Sequence, residues 1–155
     1  MKTRINVFEK EKGQAALKTL YGFATYLNQS LIEQHLLNLI YFRVSQINGC
    51  AFCLDMHSKD LRVKGESEQR LYVLDAWREA PFYSDRERAA LSWAEAITRI
   101  PGGQVPDEIY EEARVQFSED ELIDLSMAIF AINSYNRLNI AFRPKVGTYQ
   151  PGQWH

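Results

Sequence analysis

Arg43-Val44-Ser45-Gln46-Ile47-Asn48-Gly49-Cys50-Ala51-Phe52-Cys53-Leu54-Asp55-Met56-His57 reads as the end of one helix, a turn and the start of the next. Upstream of the turn, Leu36, Leu39, Ile40, Val44 and Ile47 recur at helical spacing, which predicts a helix buried along that stripe. Asn48-Gly49 interrupts the stripe as a chain does when it must turn. A new helix starting there runs to about Lys64-Gly65, where glycine can cap it. It carries the only two cysteines of the protein and one of its three histidines. Residues three and four apart share a helix face, so Cys50, Cys53 and His57 form one cluster. The two cysteine Cα atoms should lie about 5 Å apart, within reach of a disulfide.

Outward from this stretch the chain continues in helical periods. Leu17, Leu20, Tyr21, Ala24 and Leu27 mark a helix over 14–28, preceded by a polar, extended arm of about a dozen residues. Ser30-Leu31-Ile32-Glu33 matches a capping box and predicts the start of the helix that reaches Asn48. Downstream, Ser67 opens a short helix through Leu71, Leu74 and Trp77, bounded by Pro81. Two more capping boxes follow, Ser84 with Glu87 and Ser118 with Glu121. The first starts a helix through Ala90, Leu91, Ala94 and Ile97 that breaks at Pro101-Gly102-Gly103. Pro106 to about Arg114 forms a short helix. The second starts a long one through Leu122, Leu125, Ile129, Ile132 and Ile140, stopped at Arg143-Pro144. No stretch alternates as a strand would. The expectation is an all-α single domain spanning 1–155, of six or seven helices, with an N-terminal arm at about 1–12 and an irregular tail at about 144–155.

Composition narrows the function. A chain of 155 residues buries roughly 70% of its unfolded surface without cross-links. Eighteen basic and 20 acidic residues leave a net charge of −2, and no basic run marks a nucleic-acid or anionic-membrane partner. No apolar stretch reaches the 18 or so residues that span a bilayer, and the first ten residues reach charge too soon for a secretory core. The expected location is the cytoplasm, where a cysteine pair is redox-active or metal-binding more often than a permanent cross-link.

The cluster has the parts that thiol redox chemistry needs: a thiolate, a second thiol to resolve it, and a proton acceptor. Cys50 stands at the helix start, where unpaired N–H groups favour an anion. His57 can take a proton from either sulfur. One thiolate attacking a peroxide gives a sulfenic acid, which the other thiol converts to a disulfide. A structural zinc needs four ligands, and only His35, His155 and carboxylates remain, none at a helpful spacing, so no metal is expected. Two inert packed thiols are the plainer alternative, and the histidine on the same face counts against it. Trp77, Phe82, Tyr83 and Trp93 suit core or subunit contacts, with the wall of an apolar pocket as the less favoured reading. Asn133, Ser134, Asn136 and Asn139 form either a hydrogen-bonded network, near the site or across a subunit interface, or a solvated face.

The segment from Arg43 to His57 resembles the core of the AhpD-like alkylhydroperoxidases, within the carboxymuconolactone decarboxylase superfamily. The likeness extends through Trp77-Arg-Glu-Ala-Pro81 and Glu87-Arg-Ala-Ala-Leu-Ser-Trp93 to Asn136-Arg-Leu-Asn139-Ile-Ala-Phe142. It implies an all-helical protein assembled as a homo-trimer or hexamer. It implies a peroxidase acting on organic hydroperoxides, with Cys53 attacking, Cys50 resolving and His57 relaying the proton. No bound cofactor is implied; an external dithiol, such as a lipoyl-bearing partner, would supply electrons. Family members carry a glutamate twelve residues before the first cysteine, where this chain has Asn38. Asparagine can orient His57 but cannot take a proton, so either the relay is weaker or His35 or Glu33 substitutes. That departure keeps two further functions open, a non-enzymatic redox sensor and a dithiol oxidoreductase. The paired cysteines argue against lactone decarboxylation.

Overall fold

A computed structural model of the protein describes residues 2–153. Seven α-helices follow one another: α1 Glu11–Leu27, α2 Gln34–Asn48, α3 Ala51–Val63, α4 Glu68–Val73, α5 Asp85–Arg99, α6 Asp107–Gln116 and α7 Glu119–Phe142. Single 3₁₀ turns follow α4 and α5, and no strand occurs among the described residues. His155, weighed above as a zinc ligand, lies outside them. None of the described helices is long and apolar enough to cross a membrane.

α2 is the axis of the fold and packs against α3, α5 and α7 together. The sequence stripe understates this: Leu36 through Ile40 and Phe42 through Ser45 are all buried, so the helix is covered on nearly every side. A helix surrounded by three others has no solvated face to leave a period in its sequence. α1 closes the bundle over α7, and α6 packs on α5.

The caps explain where the helices begin and end. Both serine boxes at Ser84 and Ser118 form, with each hydroxyl accepting from the glutamate N–H and each glutamate accepting from the serine N–H. The box at Ser30 does not form, and α2 begins at Gln34 instead. Ser30 Oγ accepts from the Ile32 N–H, while Glu33 is drawn away to Arg86 on α5 at 2.9 Å. Asp124 of α7 takes the Leu31 N–H at 2.8 Å. Tertiary partners thus displaced a local cap. Between α2 and α3, Gly49 adopts φ +70°, the left-handed conformation that favours glycine. The Gly49 and Cys50 N–H groups then close on the Gln46 and Ser45 carbonyls. The second helix therefore ends at Asn48, at the expected break, and the third begins at Ala51 with Cys50 as its cap.

The described parts of the arm and tail both fold back on the helices. The arm's Arg4 N–H donates to the Phe142 carbonyl, and Val7 is buried against the first turn of α1. The tail is strapped along α3. The Gly147 N–H donates to Asp55, Lys59 donates to the Tyr149 carbonyl, and the Tyr149 hydroxyl donates to Asp60 at 2.8 Å.

Candidate active site

The α2–α3 turn delivers the cysteines. Cys50 is the N-cap of α3, and its sulfur accepts the Cys53 N–H at 3.4 Å, as an N-cap serine oxygen would. Cys53 follows one turn into the helix, and the two are joined as a disulfide with Cα atoms 5.4 Å apart. Both sulfurs are buried, yet they face different surroundings. Cys53 lines a cavity of about 300 Å³ together with His57, whereas Cys50 is not among its lining residues.

The cavity lies between α1, α2, α3 and α7. Phe8 from the arm, Leu17 and Tyr21 from α1, Tyr41 from α2 and Ile132, Tyr135 and Asn139 from α7 complete its wall. Among the described residues no aspartate, glutamate, lysine or arginine lines it. His57 is its only ionisable nitrogen base. Burial, with a smaller contribution from the positive charge of Lys64, lowers the imidazole pKa to about 4. Neither ring nitrogen has a hydrogen-bond partner among the described residues, and the Tyr41 ring lies 5.4 Å away, centroid to centroid. The imidazole is therefore neutral at pH 7 and presents one donor and one acceptor to whatever enters. Burial raises the pKa values of Tyr41 and Tyr135, with a smaller contribution at each from a neighbouring tyrosine, so both phenols stay protonated.

The residues named for a proton relay are engaged elsewhere. Asn38 is buried, and its amide donates to the Gln34 carbonyl at 2.8 Å, one turn back on its own helix. His35 pairs with Glu66 at 3.0 Å, and Glu33 with Arg86. The contact expected from one of them to His57 is not made. The partners of His35 and Glu33 come from distant parts of the chain, which residue spacing does not reveal. Among the described residues no cluster of three or more histidines, cysteines or acids is placed to hold a metal.

The four asparagine and serine positions of α7 divide. Asn136 is fully buried, donating to Ser45 and accepting from Asn48, whose amide also reaches Asn133. Asn133 donates in turn to Thr98 of α5. Asn139 donates to Cys53 Sγ at 3.4 Å. These three make the network reading right; Ser134 only bonds back to the Phe130 carbonyl. The aromatic quartet does not wall the cavity. Trp77 is buried and donates to Glu95, Trp93 donates to Ser126, Tyr83 is buried in the core, and Phe82 is exposed. The true aromatic wall is Phe8, Tyr21, Tyr41, Phe52 and Tyr135. Of these, Tyr21 left a local signal, as a member of the apolar stripe of the first helix.

Comparison with known proteins agrees with this geometry. Residues 13–96 match the carboxymuconolactone decarboxylase family. An uncharacterised protein of Bacillus subtilis, YdfG, is 45% identical over 141 residues, covering 91% of this chain and 95% of its own. The fold is similar to a crystal structure from Agrobacterium tumefaciens of unknown function, suggested to be the antioxidant defence protein AhpD. That likeness has a TM-score of 0.86 and 40% identity, covering 96% of this chain and 100% of the other. The debrominase Bmp8 shares the fold at a TM-score of 0.77 and 22% identity, over 88% of this chain and 74% of its own. With a paired Cys50 and Cys53 beside a buried histidine on this helical frame, the chain belongs to the carboxymuconolactone decarboxylase family as an AhpD-like member with a peroxidase-like redox centre.

Proposed function

We propose that the protein is a thiol peroxidase that reduces organic hydroperoxides, with Cys53 attacking, Cys50 resolving and His57 carrying the proton. The observation that carries this reading is the asymmetry of the pair: Cys53 lines the apolar cavity with His57 and Cys50 does not. In the reduced protein the Cys53 thiol gives its proton to His57, and the thiolate attacks the terminal oxygen of R–O–O–H. The O–O bond breaks, the sulfur is oxidised to a sulfenic acid, and the alkoxide leaves as alcohol with the proton from His57. The Cys50 thiol then attacks the sulfenic sulfur, forming the disulfide and releasing water. A dithiol reductant, of lipoyl type or another protein dithiol, returns both thiols by exchange. An uncharged, aromatic-walled cavity suits a neutral hydrocarbon substituent on the peroxide. The chain would work in the cytoplasm as a homo-trimer or hexamer. The apolar side chains that α7 leaves exposed, Ile123, Phe130 and Ile140, support such packing.

The test is steady-state consumption of cumene hydroperoxide with a dithiol reductant. Wild type should turn over and Cys53→Ser should not; equal slow consumption by both would end this reading. A second reading, a stoichiometric redox sensor, draws on one observation: His57 has no carboxylate partner to recharge it among the described residues. It predicts one round of oxidation per protein and no sustained turnover.

A further inference from the structure

We infer that Asn139 is a functional residue of the redox centre, supplying through its side-chain amide the hydrogen bond that holds the reduced Cys53 sulfur as a thiolate. Its Nδ2 donates to Cys53 Sγ at 3.4 Å, within the range of a hydrogen bond to sulfur. The side chain is buried, so water competes little for the donor. Such a bond is worth more to an anion than to a neutral thiol, and more still away from water. The reason an amide is needed here lies in what surrounds the sulfur. The titratable groups of the cavity are Cys53 itself, His57 on α3, Tyr41 on α2, Tyr135 on α7 and Tyr21 on α1. Among the described residues no lysine or arginine lines the cavity to offset a negative sulfur. Tyr41 and Tyr135 stay protonated, and His57 is a buried neutral base. The first turn of α3 and the Asn139 amide are what remains to favour the anion.

The rest of α7 fixes where that amide points. Asn136, one turn earlier, is locked by Ser45 and Asn48 at the end of α2, beside the turn that delivers the cysteines. Asn133 adds a second tie, to Asn48 and Thr98. The Asn139 carbonyl holds the Arg143 N–H, so the last turn is closed over the site. Asn133 and Asn136 thus tie α7 to the end of α2, and Asn139, one turn further along the same helix, meets the sulfur.

The inference rests on Cys53 being the attacking thiol, and its test does not require peroxide turnover. Cys50→Ser leaves a single thiol and keeps an N-cap acceptor. Alkylation of its reduced form by iodoacetamide over a pH series gives the Cys53 pKa. Adding Asn139→Leu removes the donor, and adding Asn139→Asp replaces it with an anion of the same shape. We expect Leu to raise the thiol pKa by about one unit, lowering the thiolate fraction at neutral pH about tenfold, and Asp to raise it further. An unchanged pKa in variants that keep the wild-type circular dichroism would overturn the role. If the leucine variant does not fold, the aspartate variant decides by the same readout. Loss of peroxide turnover in wild type alongside a raised pKa in the variants would sink the peroxidase reading and leave this one standing.

Discussion

His57 enters the acid range neutral because burial has cost it the charged form. The unfolded chain protonates this histidine near its ordinary value of 6.5, whereas the native chain does so only near 4. Between those values the unfolded state holds a proton that the native state lacks, so stability falls as the pH drops through that window. From about pH 7 to about pH 5 the loss should be about 2 kcal/mol from this residue. Urea unfolding of the oxidised protein at both pH values checks it: wild type should weaken by that much more than His57→Leu. Equal losses would show that the imidazole is not buried neutral. The three-residue and four-residue spacing of Cys50, Cys53 and His57 was legible because helix periodicity is a local property. The isolation of His57 was not. It follows from Glu66 and Arg86, far away in the chain, taking up His35 and Glu33. The sulfur contact of Asn139 was half legible, since its polar stripe was visible but its partner lies 86 residues away.

Among the elements, α1 and the arm before it build one side of the cavity, and Gly13 is where they meet. A methyl group added at Gly13 would overlap the Val7 carbonyl. Glycine to alanine within a helix ordinarily stabilises by about 1 kcal/mol. Here Gly13→Ala should destabilise by about 1–3 kcal/mol through overpacking, and it should loosen the arm that places Phe8 in the cavity wall. Limited proteolysis should cut the arm faster in the variant than in wild type. A stabilised, equally protected variant would show that the arm does not pack there. The helices themselves were legible where they begin on their own side chains, as α5 and α7 do at Ser84 and Ser118. The start of α2 was not, because long-range partners override the same signature at Ser30. The cavity wall was largely illegible for the same reason: the arm and four helices separated in sequence contribute one of its five aromatic residues each.

At the scale of the whole molecule, a buried polar knot holds α2 against α5 on the side of the bundle that the cavity does not use. Glu95 accepts from both the Nε and Nη2 of Arg43, at 2.9 and 2.8 Å, and from the Trp77 indole and Arg78. Burial pushes the Glu95 carboxyl up, but these donors outweigh it and hold the group below its usual range. Asp75 also pairs with Arg43. Glu95→Ala leaves the Arg43 guanidinium buried without its main partner and should cost about 3–5 kcal/mol in chemical unfolding. A cost of a few tenths would contradict the knot. With that frame fixed, the chemistry turns on which sulfur meets the peroxide. The direct measurement treats reduced Cys50→Ser and Cys53→Ser separately with one equivalent of cumene hydroperoxide, traps sulfenic acid with dimedone and locates the adduct by peptide mass spectrometry. An adduct is expected on Cys53 in Cys50→Ser and none on Cys50 in Cys53→Ser. An adduct on Cys50 alone, or on neither, would contradict it.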